Sequence, residues 1–494
     1  MSKTEGIAGN YLQAHGALGS TKTSGTPSSS VFDLPRERPT GGPTLGPSIS
    51  PPPLQKRLGV LDAATADQST GPSYLIISGG TGGNAICSSF IDACFVLPVS
   101  DDGGSSSEII RVLGGPSVGD IRSRLIRLIP QAARPSPLDA IKKLLAYRLP
   151  AKCSRKEARD EWRDIVEGRS CLWQGIPNDR KETIRGFLVS FESDLLKRAH
   201  KNFDFRNGSI GNYFIAGAQT FFRSLPSAIF LFSSITNSQA HILPVIVTNH
   251  TVTIAAELED GQRLVGQCEI SHPVRSSAAV RIVPPEDAVF TMPDEGRLVT
   301  PSQNVLYDRT GEDVVDHLAS RITKIYYINS YGMQIHPIPN PDFLSNLKTK
   351  DVLVYSCGSL WTSIMPCLCL HGVARAIASS ATLRAKVLLL NVENDRETHG
   401  YTAVDYVKAI VHTLNTSYST PQYGLGNANT TYPASAFITD LVYLPATTIP
   451  VDETAIAKLG IRCIPLGVPN EKLSRFEGGL VRETLSRIWR DWQE

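Results

Sequence analysis

Apolar residues along this chain fall into short continuous runs rather than long alternating ones. Tyr74 to Ile77 is such a run, and Cys94 to Val99 is a second, broken by Pro98. Asp351 to Tyr355 and Lys386 to Val392 repeat the pattern. Runs of this length without alternation suit strands buried on both faces, as in a parallel sheet covered by helices. Stretches of helical period lie between them. Asn84 to Phe90 reads as the start of a helix after the first strand, Tyr213–Phe222 as an apolar helix and Trp361 to Leu370 as another. Leu480–Trp489 reads as an amphipathic helix near the carboxyl end, after one or two more strands. Thr402-Ala403-Val404-Asp405 is a capping box opening a further helix. The pattern predicts an α/β fold: a Rossmann-like, mostly parallel sheet flanked by helices.

Two stretches interrupt this alternation. Residues 137–203 are more charged and helical throughout (138–147, 155–166 and 182–199), so they read as a helical insertion or cap without a catalytic pattern. Residues 205–300 return to strands and turns. Residues 415–436, rich in Gly, Asn and Thr, read as a surface loop. Residues 1–72 are rich in Ser, Thr, Pro and Gly, and read as a disordered tail that buries too little apolar surface to offset its ordering entropy. Residues 73–494 are then the folded domain.

Composition narrows the class. The chain has 494 residues, 41% hydrophobic and 19% charged, as soluble globular proteins do. A net charge of +2 gives no reason to expect a nucleic-acid partner. The nine cysteines are scattered without a C-x-x-C pair, which fits reduced thiols in a cytoplasmic protein. No apolar run spans a bilayer unbroken, and the amino-terminal residues lack a signal-peptide core, so no membrane association is expected. Oligomeric state is left open, a homo-oligomer included.

The candidate chemistry sits where strands end. Gly79-Gly80-Thr81-Gly82-Gly83 follows the first strand. Such glycines permit positive φ and close approach of the backbone to an anion, and a following helix would offer free N–H groups. Asp101 and Asp102 follow the second strand, about 20 residues on, where nucleotide-binding βαβ units carry a ribose-binding carboxylate. Two adjacent carboxylates equally suit Mg²⁺ held against phosphates, so they are the metal candidates as well as the catalytic ones. A tight strand-to-helix turn without a ligand is the plainer reading of the first segment, and a solvated turn that of the second.

Further on, Gly119-Asp120-Ile121-Arg122 opens a helix, with Asp120 as its N-cap and Arg122 placed to clamp a phosphate. Solvent exposure is the plainer reading of Arg122, Arg124 and Arg127. Gly211 and Asn212 start the apolar helix, and Gly358, Ser359 and Thr362 form a strand-to-helix turn. Asn391, with Glu393, Asn394 and Asp395, ends a later strand. No nucleophile-elbow spacing accompanies Cys357 or Ser359.

In order, these segments resemble the CofD/YvcK-like family. The resemblance rests on Gly79–Gly83, Asp101–Ser106, Pro116–Arg122, Gly211–Ala216, Ala256–Gly261, Gly358–Ser363 and Glu397–Val407. It implies a Rossmann-like fold and a nucleotide–diphosphate conjugate, such as a UDP-sugar or GDP-conjugate, as ligand. One branch of the family, the 2-phospho-L-lactate transferases, moves a phospholactyl group from such a conjugate to a deazaflavin alcohol with Mg²⁺. The other, YvcK-like branch binds UDP-sugars and influences carbon metabolism without a firmly attached reaction. The chain departs from the pattern at Tyr355-Ser356-Cys357, at Trp361 where tyrosine is usual, at Glu393-Asn394-Asp395-Arg396 and at Tyr406. Three readings follow: a phospho-transferase, a non-catalytic nucleotide-sugar sensor, and a nicotinamide oxidoreductase. The last is weakened because GGTGGN does not fit G-x-G-x-x-G.

Overall fold

The computed structural model describes residues 71–80, 82–131, 136–198, 201–272, 317–416, 431–467 and 475–494. Residues 1–70 of the expected tail, Thr81 of the glycine loop and 417–430 of the expected surface loop lie outside the described residues.

Eleven strands are described: β1 Tyr74–Ile77, β2 Cys94–Leu97, β3 His241–Pro244, β4 Thr253–Leu258, β5 Arg263–Val265, β6 Ile322–Ile328, β7 Gln334–Ile335, β8 Val352–Tyr355, β9 Ala385–Leu389, β10 Asp440–Tyr443 and β11 Arg462–Pro465. Seven form one sheet in the order β11-β10-β9-β8-β1-β2-β3, with every pair parallel. The central strands β1, β2, β8 and β9 are buried at every position, which is why they read as continuous apolar runs. The two edge strands, β3 and β11, each end in proline, a residue without the N–H that would extend the ladder. The remaining four strands form an antiparallel sheet in the order β5-β4-β6-β7.

The helices are α1 Gly104–Leu113, α2 Gly119–Arg127, α3 Pro137–Ala146, α4 Arg155–Val166, α5 Asn178–Leu196, α6 Ile210–Phe222, α7 Leu225–Ile235, α8 Gln267–Ser271, α9 Pro341–Asn346, α10 Met365–Leu368, α11 Val373–Ala378, α12 Ala403–Asn415, α13 Glu453–Lys458 and α14 Gly478–Asp491. Helices α3, α4 and α5 occupy the charged stretch 137–203. Trp162 of α4, Phe191 of α5 and Tyr213 of α6 pack together with Phe205, rings 4.7 to 6.0 Å apart, and join that stretch to the main core. None of the described helices is long and apolar enough to cross a membrane.

Three local expectations are corrected. After β1 there is no α-helix but two 3-10 turns, Gly82–Ala85 and Cys87–Ser89. Two consecutive glycines at the start are poor helix formers, and the C-terminal α14 props this short crossover instead: Arg482 holds Asp92 through two 3.0 Å bonds and also donates to the Ser89 carbonyl. Pro98 does not interrupt a strand, because β2 stops at Leu97. After β8 the chain enters a π-turn, Leu360–Ile364, before the single α-turn of α10.

Candidate functional site

Counted outward from β1, the sheet runs β1-β2-β3 to one side and β8-β9-β10-β11 to the other. This is the strand order of dinucleotide-binding sheets, which reverses between the first strand and its later neighbour. The β1/β8 boundary is therefore the switch point, where crossovers leave a crevice beyond the carboxyl ends of the strands. The glycine loop leaves β1 there, and Cys357-Gly358-Ser359 leaves β8.

These two loops are locked together by the absence of side chains. A Cβ on Gly82 would lie 2.4 Å from the Gly358 Cα and 2.6 Å from the Cys357 carbonyl oxygen. A Cβ on Gly79 would meet Ser363 Oγ at 2.2 Å, and one on Gly80 would meet Asp120 Oδ1 at 2.2 Å. None of Gly79, Gly80, Gly82 and Gly83 has positive φ, so these glycines serve close approach and not left-handed backbone. Gly358, at φ 137°, does need to be glycine for its conformation.

The main support of the loop is Arg124, a residue whose plainer sequence reading was solvent exposure. It is fully buried and donates to Ser78 Oγ, the Gly79 carbonyl and the Gly83 carbonyl, each at 3.0 Å. Its guanidinium also lies 4.9 Å from the centre of the Phe95 ring. Asp120 lies one helical turn before Arg124 on the same face of α2 and packs on Gly80. It is not an N-cap: Val118 holds that position and Asp120 sits inside the first turn. Burial pushes the Asp120 carboxyl up, while Arg124 and the Gly80 amide pull it down.

Arg122 points elsewhere. Its stem crosses Gly211, whose Cβ would lie 3.0 Å from Arg122 Cγ, and its Nε donates to Asn212 Oδ1 at 3.2 Å. Asn212 in turn donates to Ser105 Oγ at 2.8 Å. Gly211 and Asn212 thus bind α6 to α2 and α1, and the structure does not bring Arg122, Gly211 or Asn212 onto the glycine loop. Burial, then the nearby Arg148, pushes the Arg122 guanidinium down to about 10.

The two adjacent aspartates diverge. Asp101 accepts the Gly103 N–H through Oδ1 at 3.0 Å, and its Oδ2 faces Gly119 and Ser106. Asp102 Oδ1 accepts the Cys268 N–H at 2.8 Å, and its Oδ2 lies against Gly266, which leads into α8. Both carboxyls are raised, first by burial; for Asp101 the next cause is the charge of Asp120, ahead of that of Asp102. Asp101 and Asp120 are therefore the closer electrostatic pair. A buried carboxylate raised by the charge of another beside it fits a divalent cation, and Mg²⁺ needs only one or two protein carboxylates when phosphates supply further oxygens. Among the described residues no group of three or more His, Cys, Asp or Glu forms a metal cage.

On the β8 side, much of the expected ligand contact is spent internally. Glu397 is buried and accepts the Trp361 N–H at 2.9 Å, the Thr362 N–H at 3.1 Å and the Thr362 hydroxyl at 2.5 Å. Burial and the neighbouring Asp395 push its carboxyl up to about 8. Asn391 clasps Gly358 from both sides, accepting its N–H at 2.9 Å and donating to its carbonyl at 2.8 Å. Thr362 and Asn391 consequently hold the loop, whereas the Ser359 hydroxyl makes no hydrogen bond to a described residue. Trp361 Nε1 donates to the Tyr401 hydroxyl at 3.3 Å, so the indole that replaces the usual tyrosine has a buried partner.

Asn84 Oδ1, in the glycine-loop turn, Ser100 Oγ, beside Asp101, and Arg124 Nε are buried without a hydrogen-bond partner. Sequence reading missed Arg124 and Glu397. A spacing of two residues on α2 separates the arginine that faces the site's backbone from the one that does not, but only the position of α2 tells which is which.

A family model described as 2-phospho-L-lactate transferase CofD matches residues 75–466. An uncharacterized protein of Saccharomyces cerevisiae, YNL011C, is 34% identical over 436 residues, covering 79% of this chain and 94% of that one. The gluconeogenesis factor of Bacillus subtilis is 22% identical over 345 residues, 69% of this chain and 74% of its own. The putative gluconeogenesis factor of Thermotoga maritima is 21% identical over 346 residues, with 69% and 75% covered. Among solved structures, a UPF0052 family member from Bacillus halodurans superposes with a TM-score of 0.52 at 19% identity, covering 84% of this chain and 99% of that one, a likeness of fold.

Proposed function

Because the chain belongs to the CofD family, we propose that it binds a nucleoside-diphosphate conjugate at the β1/β8 switch point and transfers a phosphorus-containing group from it to an acceptor hydroxyl, as a 2-phospho-L-lactate transferase does. The observation that carries this reading is the set of loop glycines Gly79, Gly80, Gly82 and Gly83, packed on Arg124, Asp120 and Gly358 at the place where such sheets bind ligands.

In the transfer, the acceptor oxygen forms a bond to phosphorus as the anhydride P–O bond breaks, and a nucleoside monophosphate leaves. The acceptor proton passes to a carboxylate. Asp102 is the candidate, because burial raises its affinity for a proton, the direction a general base needs. Mg²⁺, held by Asp101 with Asp120 and Asp102 close by, would supply charge stabilisation to the phosphoryl oxygens. Asn84 Oδ1 and Ser100 Oγ, buried without a partner, have hydrogen-bonding capacity to spare.

A second reading has its own support. The bacterial relatives are named gluconeogenesis factors, and the Glu397 clasp leaves fewer amides free on the β8 loop than a diphosphate cradle would use. On that reading the chain is a UDP-sugar-binding regulator of carbon metabolism without turnover.

The test is thermal stabilisation of the full chain by UDP- and GDP-conjugates with and without Mg²⁺, followed by product analysis. A ligand that binds only the folded state raises Tm. The transferase reading expects Mg²⁺-dependent stabilisation and release of a nucleoside monophosphate, both lost in Asp101→Asn. Stabilisation without turnover selects the regulator, and no stabilisation by any conjugate refutes both.

A further inference from the structure

The crossover that follows the glycine loop has no α-helix of its own. A ladder of i→i+3 bonds holds its backbone: the N–H groups of Ile86, Ser89, Phe90 and Ala93 donate to the carbonyls of Gly83, Ile86, Cys87 and Phe90, at 3.4, 3.1, 3.0 and 3.1 Å. Such bonds have poorer geometry than those of an α-helix and long runs of them are uncommon, so this one depends on its neighbours. At the loop end of the ladder, Arg124 holds the Gly83 carbonyl. The far end is held by α14.

Arg482 of α14 is that second anchor. Its two terminal nitrogens grip Asp92 at 3.0 Å each, and Nη1 also donates to the Ser89 carbonyl. The guanidinium lies 5.7 Å from the centre of the Phe90 ring and 5.9 Å from that of Tyr74, and the two rings meet edge to face at 5.0 Å. The Tyr74 hydroxyl shares a 2.9 Å hydrogen bond with Ser486, one turn further along α14. The first turn of α14 comes as near: a Cβ on Gly478 would lie 2.4 Å from Ser89 Oγ and 3.1 Å from the Ile86 carbonyl oxygen. Val481, Leu485 and Ile488 are buried and fix the helix to the core. The family match ends at residue 466, before α14 begins.

We infer that α14 is a positioning element for the glycine loop, with Arg482 as its positioning residue. Arg482 acts through Ser89, Phe90 and Asp92, and the i→i+3 ladder carries the restraint to Gly83. Loosening this anchor lowers the population of the loop conformation that binds, and apparent affinity falls by that fraction. The inference rests on the proposed binding of a conjugate at that loop.

The experiment measures amide hydrogen exchange across residues 79–93 and conjugate affinity in the full chain, for the wild type, Arg482→Gln and Arg482→Lys. Ile456→Val, a buried position of α13, is the control for global stability. In Arg482→Gln, exchange across 79–93 is expected to speed up about tenfold, the worth of one charge-assisted contact, and conjugate affinity to fall by a similar factor. Arg482→Lys keeps the cation without the bidentate grip and restores part of both. Unaltered exchange across 79–86 in Arg482→Gln overturns the inference, and so does faster exchange with unaltered affinity. The same acceleration in Ile456→Val makes the effect a general loss of stability and overturns it too. A wild type that binds no conjugate refutes the binding reading alone, and exchange across 79–86 then decides the positioning by itself.

Discussion

Replacing Arg124 by methionine keeps the length of the stem and removes the guanidinium that ties β1's loop to α2. Three acceptors lose their donor: Ser78 Oγ, the Gly79 carbonyl and the Gly83 carbonyl, all at 3.0 Å and out of reach of solvent. Each buried group left unpaired costs about 1–3 kcal/mol, and the lost contact with Phe95 adds about 1 kcal/mol. Against this, the guanidinium no longer has to be stripped of water, which returns several kcal/mol. The net is about 3–5 kcal/mol, the usual scale for removing one side of a buried charged network. Arg124→Lys keeps the charge but cannot reach three acceptors in one plane, so it should fall nearer the methionine variant than the wild type. Equilibrium urea unfolding measures this, comparing midpoints at equal slope. Conjugate-dependent stabilisation should disappear along with the loop's order. A methionine variant destabilised by less than about 1 kcal/mol that still responds to conjugates would refute the role given to Arg124.

Two further outcomes follow from the same contacts. Gly82→Ala sets a methyl 2.4 Å from the Gly358 Cα, where backbone cannot swing aside. It should cost about 1–3 kcal/mol in urea unfolding, whereas Gly479→Ala in α14, with nothing within 4 Å, should be neutral or slightly stabilising. Glu397 has its carboxyl raised to about 8 by burial, so its contribution to stability is complete below the ordinary carboxylate range and is lost as pH rises through about 8. Glu397→Gln should therefore gain on the wild type, by on the order of 4 kcal/mol, between pH 5 and 9. A constant difference between the two unfolding curves over that range would contradict it.

The main sheet was legible because its strands are buried on both faces: Tyr74–Ile77 and Val352–Tyr355 contain nothing but apolar residues. The first crossover was not legible as 3-10 turns, because part of what supports it is Arg482 of α14, 390 positions from Asp92 in the chain. Of the two reasons the sequence offered for the loop glycines, close approach and positive φ, the structure uses close approach, toward protein neighbours. Arg122 and Arg124 are equivalent to any pattern that counts only residue type, and the structure gives them opposite sides of α2. Thr362 and Asn391 were polar residues at strand ends, as a site requires, but their partners Glu397 and Gly358 take up their hydrogen bonds.

The place of β1 between β2 and β8 also orders how the molecule can be built. A chain emerging from synthesis has β2 available as a neighbour for β1 within about 20 residues, but β8 begins only at Val352. Until then one full edge of this buried apolar strand has no partner, and pairing it closes a loop of more than 270 residues. The nascent amino-terminal half would then be the form most dependent on chaperones, and the crevice would be among the last parts of the protein to exist.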